Sequence, residues 1–571
     1  MSSKFQVSGR NAAAPFTLKV YRGDGMALLA MNWKSAQPPN DFVGFAIQYR
    51  EPGGDKFFAL KNLLNFLGPG GRVSMKRTST MLAPIQMFHW VHFPRNPNLA
   101  GEFVYRVTPV FMNDDDELSY GEFQEAALEL RRETYPGRLN VTFTRGFVSS
   151  QAFVSRYIAA GPLSKLLPAK AALGLRFVPT HPQTADALAW MGFEAREAIL
   201  EVLEAAIDDG KAQVCVVAYD LNEPDIVTRL ERLGDRLRII VDDSDEHGKP
   251  HSGESEAARR LSASAGAGHV KRQHMGGLQH NKTIVVDGPK GRLVVCGSTN
   301  FSWRGLFVQA NNAVVLRGKK PVRAFRTAFD AYWANDDPGG FGSTASAGWI
   351  DLGMRGIRAR VAFSPHAAEN ALLTTIADDI RANTTSSLFY SLAFLYQTKG
   401  AIRDAVEAVS RDNRIFVYGI SDRRVSGLDL QDPNGNIEPV FAASLTKDAP
   451  EPFKAEPKGG GGNRMHHKFV VVDFDRPTAR VYLGSYNFSP AADTANGENL
   501  VLIRNRRIAV SYAVEALRIF DHYHFRVTQN EKKRKGRKFT LARPPRKPTH
   551  KPWWARYYAD PRKIRERELF A

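Results

Sequence analysis

The chain has 571 residues, 43% hydrophobic, 11% aromatic and 24% charged, an ordinary globular composition that excludes a disordered, collagenous or fibrous protein. Its length suits roughly three to four domain-sized units rather than one small module. Lys and Arg outnumber Asp and Glu 78 to 59, a net charge of +19, so a polyanionic partner is expected: nucleic acid, an anionic membrane surface or a phosphorylated substrate.

The N-terminal MSSKFQVSGRNAAAP lacks the apolar core of a secretory signal, and no stretch approaches the roughly 20 apolar residues that span a bilayer. A soluble, cytoplasmic chain is expected, with peripheral membrane association or non-classical export left open. From about 14 to 130, short runs alternate apolar and polar positions, as in FTLKVY (16–21), DFVGFAIQYR (41–50) and GEFVYRVTPVFM (101–112). Period-2 patterning between Gly, Pro and Asn turns predicts an all-β sandwich over 1–135, and the spacing of FAIQYR and FVYRVTP loosely resembles a fibronectin type III module. MLAPIQMFHWVHFP (81–94) reads as aromatics packed between this module and its neighbour, or else as a lipid-docking loop; burial preferences favour packing.

After the Pro-Gly turn in ETYPGRLN (133–140) the period changes. FEAREAILEVLEAAIDDG (193–210) is helical and ends in Gly. AQVCVVAYD (212–220) is a continuous apolar run, PDIVTRLERL (224–233) a helix, and RLRIIVDD (236–243) a further apolar run. The series recurs about 175 residues on as AAENALLTTIADDIRAN (367–383), SSLFYSLAFLY (386–396), KGAIRDAVEAVS (399–410) and RIFVYGI (414–420). Two copies of one α/β unit are predicted, each on a sheet buried on both faces. Long polar segments, 244–279 and 421–465, follow the last strand of each copy; the second contains GGGG (459–462), which reads equally as a lid hinge or a flexible insertion. Cys215 and Cys296 lie within apolar runs and read as buried, unpaired thiols.

Each copy closes on the same string. HNKTIVVD followed by GSTN places His280, Lys282, Asp287, Ser298 and Asn300; HHKFVVVD followed by GSYN places His466, Lys468, Asp473, Ser485 and Asn487. One H-x-K-x4-D string arises by chance at roughly the few-per-cent level in a chain this long; two, each followed by G-S-x-N at one repeat length, do not. The strings resemble the duplicated HKD motif of the phospholipase D superfamily over roughly 138–530. The resemblance implies two pseudo-repeated α/β/α halves, 138–330 and 331–530, that share one active site and form a covalent phosphohistidine without a metal or other cofactor.

Residues i and i+2 of a strand share a face, so each His stands beside its Lys. Two facing halves would present two His, two Lys, two Ser and two Asn around phosphate oxygens. One imidazole attacks phosphorus while the other protonates the leaving oxygen, general acid help worth about 10²–10⁴-fold. Asp287 and Asp473, at i+7, fall on the opposite face and read as structural. Eleven residues past each motif Asn stand Asn311 and Glu498. An acid there is what the resemblance leads one to expect, and Asn311 departs from it. Placed beside His466, Glu498 would raise its pKa and suit a general acid; Asn311 beside His280 would leave a neutral nucleophile. His280 is therefore expected as nucleophile and His466 as acid, then base.

His467 should face away from the site by alternation. HWVH (89–92) and HYH (522–524) have no completing Cys or carboxylate set, so no metal is expected. Residues 531–571 hold 15 Lys and Arg against 4 Asp and Glu, more than half of the excess charge, and read as a basic, aromatic tail that docks on anionic lipid or nucleic acid in a salt-sensitive way; the aromatics of PWWARYYADPRKIRERELF are also costly to leave in water and could wrap onto the body. Three functions follow: a phospholipid phosphodiesterase acting by hydrolysis or transfer, a nuclease with the same site, or a binding protein without turnover. Two complete motifs argue against the last. Oligomeric state is not legible.

Overall fold

The computed structural model describes all residues except 1–3, 75, 131–132, 147–152, 154–155, 396–397, 422–464 and 537. The GGGG run and most of the second polar segment lie outside the described residues. Two antiparallel sheets come first. One has the order Gln6–Ser8, Phe16–Arg22, Ala27–Trp33, His89–His92; the other is built on Phe42–Arg50 and Glu102–Met112. The inward alternation of Phe16, Leu18 and Val20 meets Phe45, Ile47, Phe103, Tyr105 and Val107 in one apolar cluster.

Two seven-stranded mixed sheets follow. The first runs Leu139–Phe143, Asn312–Arg317, Arg292–Gly297, Lys282–Asp287, Gln213–Ala218, Leu237–Val241, Val270–Arg272. The second runs Ile350–Asp351, Arg358–Ser364, Glu498–Arg504, Arg480–Gly484, Lys468–Val472, Ser387–Leu392, Phe416–Ile420. Six strands correspond one to one. In both sheets the motif strand pairs antiparallel with its neighbours, and parallel pairing is confined to the edge beginning at Gln213–Ala218 or Ser387–Leu392. The motif strands are buried throughout between Lys and Asp, and apolar there apart from Thr283, because both sheet faces are covered. Cys215 and Cys296 are buried, free thiols in this core.

Two expected boundaries move. Helix Lys319–Ala334 runs through 330/331 and helix Arg506–Arg534 through 530/531; each follows the last strand of its sheet, so each belongs to the half before it. The aromatic end of the C-terminal segment packs on the body. Trp553, Trp554 and Tyr557 join the N-terminal apolar cluster, while Phe570 packs on Phe389, Phe416 and Phe474 of the second half. Tyr21 donates to the Phe570 carbonyl at 2.8 Å. The apolar area of these rings, worth about 2–3 kcal/mol for each fully buried aromatic, outweighs the tendency of a basic segment to stay solvated. Among the described residues no helix is long and apolar enough to cross a membrane.

Candidate active site

The two halves meet through strand ends. Gln279, just before His280, bridges to Gly497, just before Glu498; Met465, just before His466, bridges to Ala310, just before Asn311. Gly497 permits this approach, since a Cβ there would lie 2.2 Å from Gln279 Oε1. The pairing is therefore crossed. His280 Nδ1 lies 2.8 Å from Glu498 Oε2 of the other half, and His466 Nδ1 lies 2.8 Å from Asn311 Oδ1. This corrects the expected pairing of Glu498 with His466 and of Asn311 with His280: partners equivalent in sequence are exchanged because each strand end reaches across the junction.

The two histidines and two lysines of the paired motifs are brought together and almost fully buried: His280 is 3% exposed, His466 5%, Lys282 and Lys468 1% each. The imidazole centroids are 6.5 Å apart with planes inclined by 67°. Each lysine folds back on its own histidine. Lys282 Nζ donates to the His280 carbonyl, and Lys468 Nζ lies 2.9 Å from the His466 carbonyl and 3.1 Å from His466 Nε2. Tying each Nδ1 to a partner in the opposite half leaves Nε2 as the reactive nitrogen.

Burial and the flanking ammoniums hold both imidazoles well below the usual histidine range. Burial pushes Lys282 down to about 8; burial, then repulsion from Lys282, pushes Lys468 well below its ordinary value. Burial lifts Glu498 up to about 8, opposed by Lys282. The site is buried and carries cationic side chains whose charge is costly until an anion arrives.

The two motif serines lie behind the imidazoles rather than facing a phosphate. Ser298 Oγ donates to Asn311 Oδ1 at 2.9 Å, so it holds the group that holds His466. Ser485 Oγ accepts from the Asn499 amide N–H at 3.0 Å and bonds the Glu498 carboxylate. The expectation that both hydroxyls bind phosphate directly is thus corrected: the bulge after Gly297 and Gly484 turns them inward. Those glycines have φ of 137° and 142°, and a Cβ at either would strike the Asn312 or Asn499 carbonyl at 2.4 or 2.2 Å, which explains the G of both G-S-x-N strings.

Asn300 Nδ2 donates to Asp220 Oδ2 at 2.7 Å; Asn487, half-buried, has an Oδ1 with no partner. Asp287 and Asp473 sit at the far ends of the motif strands. Asp473 accepts from the backbone N–H groups of Thr385, Ser386 and Ser387 at 2.7–3.2 Å, and Asp287 pairs with Arg292 and Arg326. His467 is buried against Glu515 at 3.2 Å.

Sequence reasoning missed Asp220 and its neighbours. Tyr219 stacks edge-on against His280 with centroids 4.6 Å apart, and Lys282 Nζ lies 4.7 Å from the same ring. His247 bridges Asp220 at 3.0 Å and Asp242 at 2.8 Å. The available signal was position: Tyr219 and Asp220 end the apolar run 212–220 at the carboxyl end of a strand, where open α/β sheets bind ligands.

The family described as "Cardiolipin synthase, PLD-like domain" matches twice, over residues 203–333 and 390–520, each span holding one complete motif. The chain is 40% identical over 47 residues, 8% of its length, to proteins named "Phospholipase D" of Rickettsia felis and Rickettsia prowazekii. It spans only about a fifth of the length of these curated relatives, 22% and 21%. Among solved structures, phosphatidylserine synthase of Haemophilus influenzae Rd KW20 is 13% identical with a TM-score of 0.40, covering 60% of this chain and 92% of that one. The phospholipase D family member Nuc of Salmonella typhimurium is 26% identical with a TM-score of 0.21, covering 24% and 87%. Through its two matched domains, each carrying the motif, the chain belongs to the phospholipase D superfamily.

Proposed function

We propose that the chain is a phospholipid phosphodiesterase that works through a covalent phosphohistidine on His280. The observation that carries this reading is the pair of imidazoles from two halves, 6.5 Å apart, each fixed through Nδ1 and flanked by a buried lysine. His280 Nε2 attacks phosphorus, the P–O bond to the leaving alcohol breaks, and His466, protonated at Nε2 once the bound phosphate anion offsets the neighbouring ammoniums, gives that proton to the departing oxygen. His466 then takes a proton from water or a second alcohol, which attacks phosphorus as the N–P bond breaks.

The observed pairing inverts the electrostatic argument made from the sequence, since the carboxylate now sits on His280. His280 remains the nucleophile on a different ground. Phosphorylation of Nε2 while Nδ1 keeps its proton puts a positive charge on the ring, and that charge draws Glu498, the acid in contact with it, into its ionised form. The amide of Asn311 gives His466 no such stabilisation, which leaves it the stronger acid.

A phospholipid is favoured over a nucleic acid by the description of the matching family and by the names of the curated relatives. The test offers anionic and zwitterionic liposomes, with and without glycerol as acceptor, beside single- and double-stranded DNA. Release of head group with phosphatidate supports hydrolysis, and a new phosphatidyl alcohol supports transfer. Cleaved DNA with intact lipid would overturn the substrate assignment, and no turnover of any diester would overturn the enzyme.

A further inference from the structure

The first half holds a charged cluster that the paired motif does not include and that has no counterpart in the described part of the second half. His247 Nε2 lies 3.0 Å from Asp220 Oδ1 and its Nδ1 2.8 Å from Asp242 Oδ2. Asp220 Oδ2 accepts from Asn300 Nδ2 at 2.7 Å and from Ser302 Oγ at 3.2 Å. Asp242 Oδ1 accepts the backbone N–H of Gln279, the residue before His280, at 2.7 Å. The Tyr219 ring lies 4.6 Å from both His247 and His280. Glu254 completes the cluster, with Oε1 accepting from the Leu221 backbone N–H at 3.1 Å. In the second half the strand that matches 213–218 continues into Ala393 and Phe394, and Phe394 lies under Lys468 with its centroid 5.8 Å from Nζ.

We propose that Asp220 and His247 form an ion-paired clamp that orients the Asn300 amide for the substrate phosphate, making both positioning residues for the first half of the site. The inference rests on the phosphodiesterase reading above. A carboxylate only accepts, so Asn300 must turn its NH₂ towards Asp220; one N–H is committed there and the second is left as a donor for a phosphate oxygen. An uncompensated carboxylate at that place would repel the same phosphate. The imidazolium of His247 offsets it: burial opposes this charge, but the hydrogen bonds His247 donates to Asp220 and Asp242 push it up to about 10. Lys282 and Arg304 also act on Asp220. Asp242 ties the clamp to the backbone beside His280, so the donor and the nucleophile share one support.

The test measures binding of inorganic phosphate by calorimetry and the steady-state constants for a small soluble diester, using the full-length protein. His247→Gln is expected to weaken phosphate binding and raise KM about 10-fold with kcat changed less than about 3-fold, because Asp220 is left as a bare anion. The double variant His247→Gln, Asp220→Asn is expected to recover phosphate affinity to within about 3-fold, since the charge is removed while the new side-chain amide keeps an acceptor oxygen for Asn300. A double variant as impaired as the single one would reduce the cluster to a structural brace and overturn the clamp. If His247→Gln fails to fold, Asp220→Asn alone decides: unchanged or tighter phosphate binding supports the clamp, and weaker binding overturns it. A stoichiometric divalent metal that copurifies and is lost in either variant would make the cluster a metal site and also overturn it. Wild-type protein that binds no phosphate would instead refute the phosphodiesterase reading on which the clamp depends.

Discussion

The two halves present the same strand order, the same motif and the same bulged glycine, yet the nitrogen behind each reactive histidine meets a different group. His280 is backed by the carboxylate of Glu498 and His466 by the amide of Asn311. A duplicated fold supplies a symmetric scaffold; one residue per half, reaching across the junction, makes the two imidazoles chemically unequal. An acid and a nucleophile are needed at once, so breaking the symmetry at the partner is the smallest change that separates the roles.

The largest effect expected is from deleting the imidazoles themselves. His280→Ala and His466→Ala should each lower kcat by about 10³-fold or more. With a good leaving group and radiolabelled phosphoryl donor, His466→Ala should accumulate labelled protein and His280→Ala none; the reverse pattern would exchange the roles.

Glu498→Gln tests the asymmetry next. It keeps shape but removes the anion behind the phosphorylated ring, and a loss of about 10²–10⁴-fold in kcat is expected, as for other histidines deprived of a supporting carboxylate. Asn311→Ala removes the neutral hydrogen bond that holds His466, worth about 1 kcal/mol, along with the bonds of Asn311 to Ser298 and the Gly305 carbonyl, so about 5–10-fold in kcat is expected. Equal losses in the two variants would show that the halves are not differentiated by these partners.

A third prediction concerns protons. Lys282 is held at about 8 in the empty site, and an anion beside it favours the charged form. Binding of inorganic phosphate near pH 8 should therefore take up protons, and affinity should fall as pH rises from 7 to 9. Calorimetry in buffers of different ionisation enthalpy measures the uptake; proton release on binding would contradict the proposed electrostatics.

The smallest effect is on stability. Glu498 has a folded-state pKa raised from 4.5 to about 8 by burial, so its contribution is fully present below 4.5 and is lost as pH rises through 8. Glu498→Gln has no such loss, and its melting temperature relative to wild type should increase between pH 5 and pH 8 by about 1–3 °C.

Much of this site was legible because duplication repeats the signal. The positions of His280, Lys282, His466 and Lys468 followed from strand alternation alone, and the equivalent places of Asn311 and Glu498 followed from counting past each motif. Which partner serves which histidine did not follow, because equivalent positions in two similar halves are indistinguishable until the junction between strand ends is known. The serines were misread for a related reason. Alternation projects a side chain from a regular strand, and the positive φ of Gly297 and Gly484 ends that regularity one residue earlier. Asp220 and His247 carried no repeat to announce them, and the 26 residues between them in sequence close only when the loop after Leu237–Val241 folds back. The C-terminal segment carries two signals, charge and aromatic content, and its Trp and Tyr side chains, which pack on the body, were legible as costly to leave in water.

That C-terminal segment sets an order of assembly. Trp553 donates to the Phe42 carbonyl across 511 residues of chain, and Phe570 accepts from Tyr21 across 549. At ribosomal rates of about 5–20 residues per second, the strands that receive them wait on the order of 25–100 s for the aromatic side chains that complete their apolar cluster. These sheets thus wait with an open hydrophobic seam and are finished only when the aromatics some 500 residues downstream arrive.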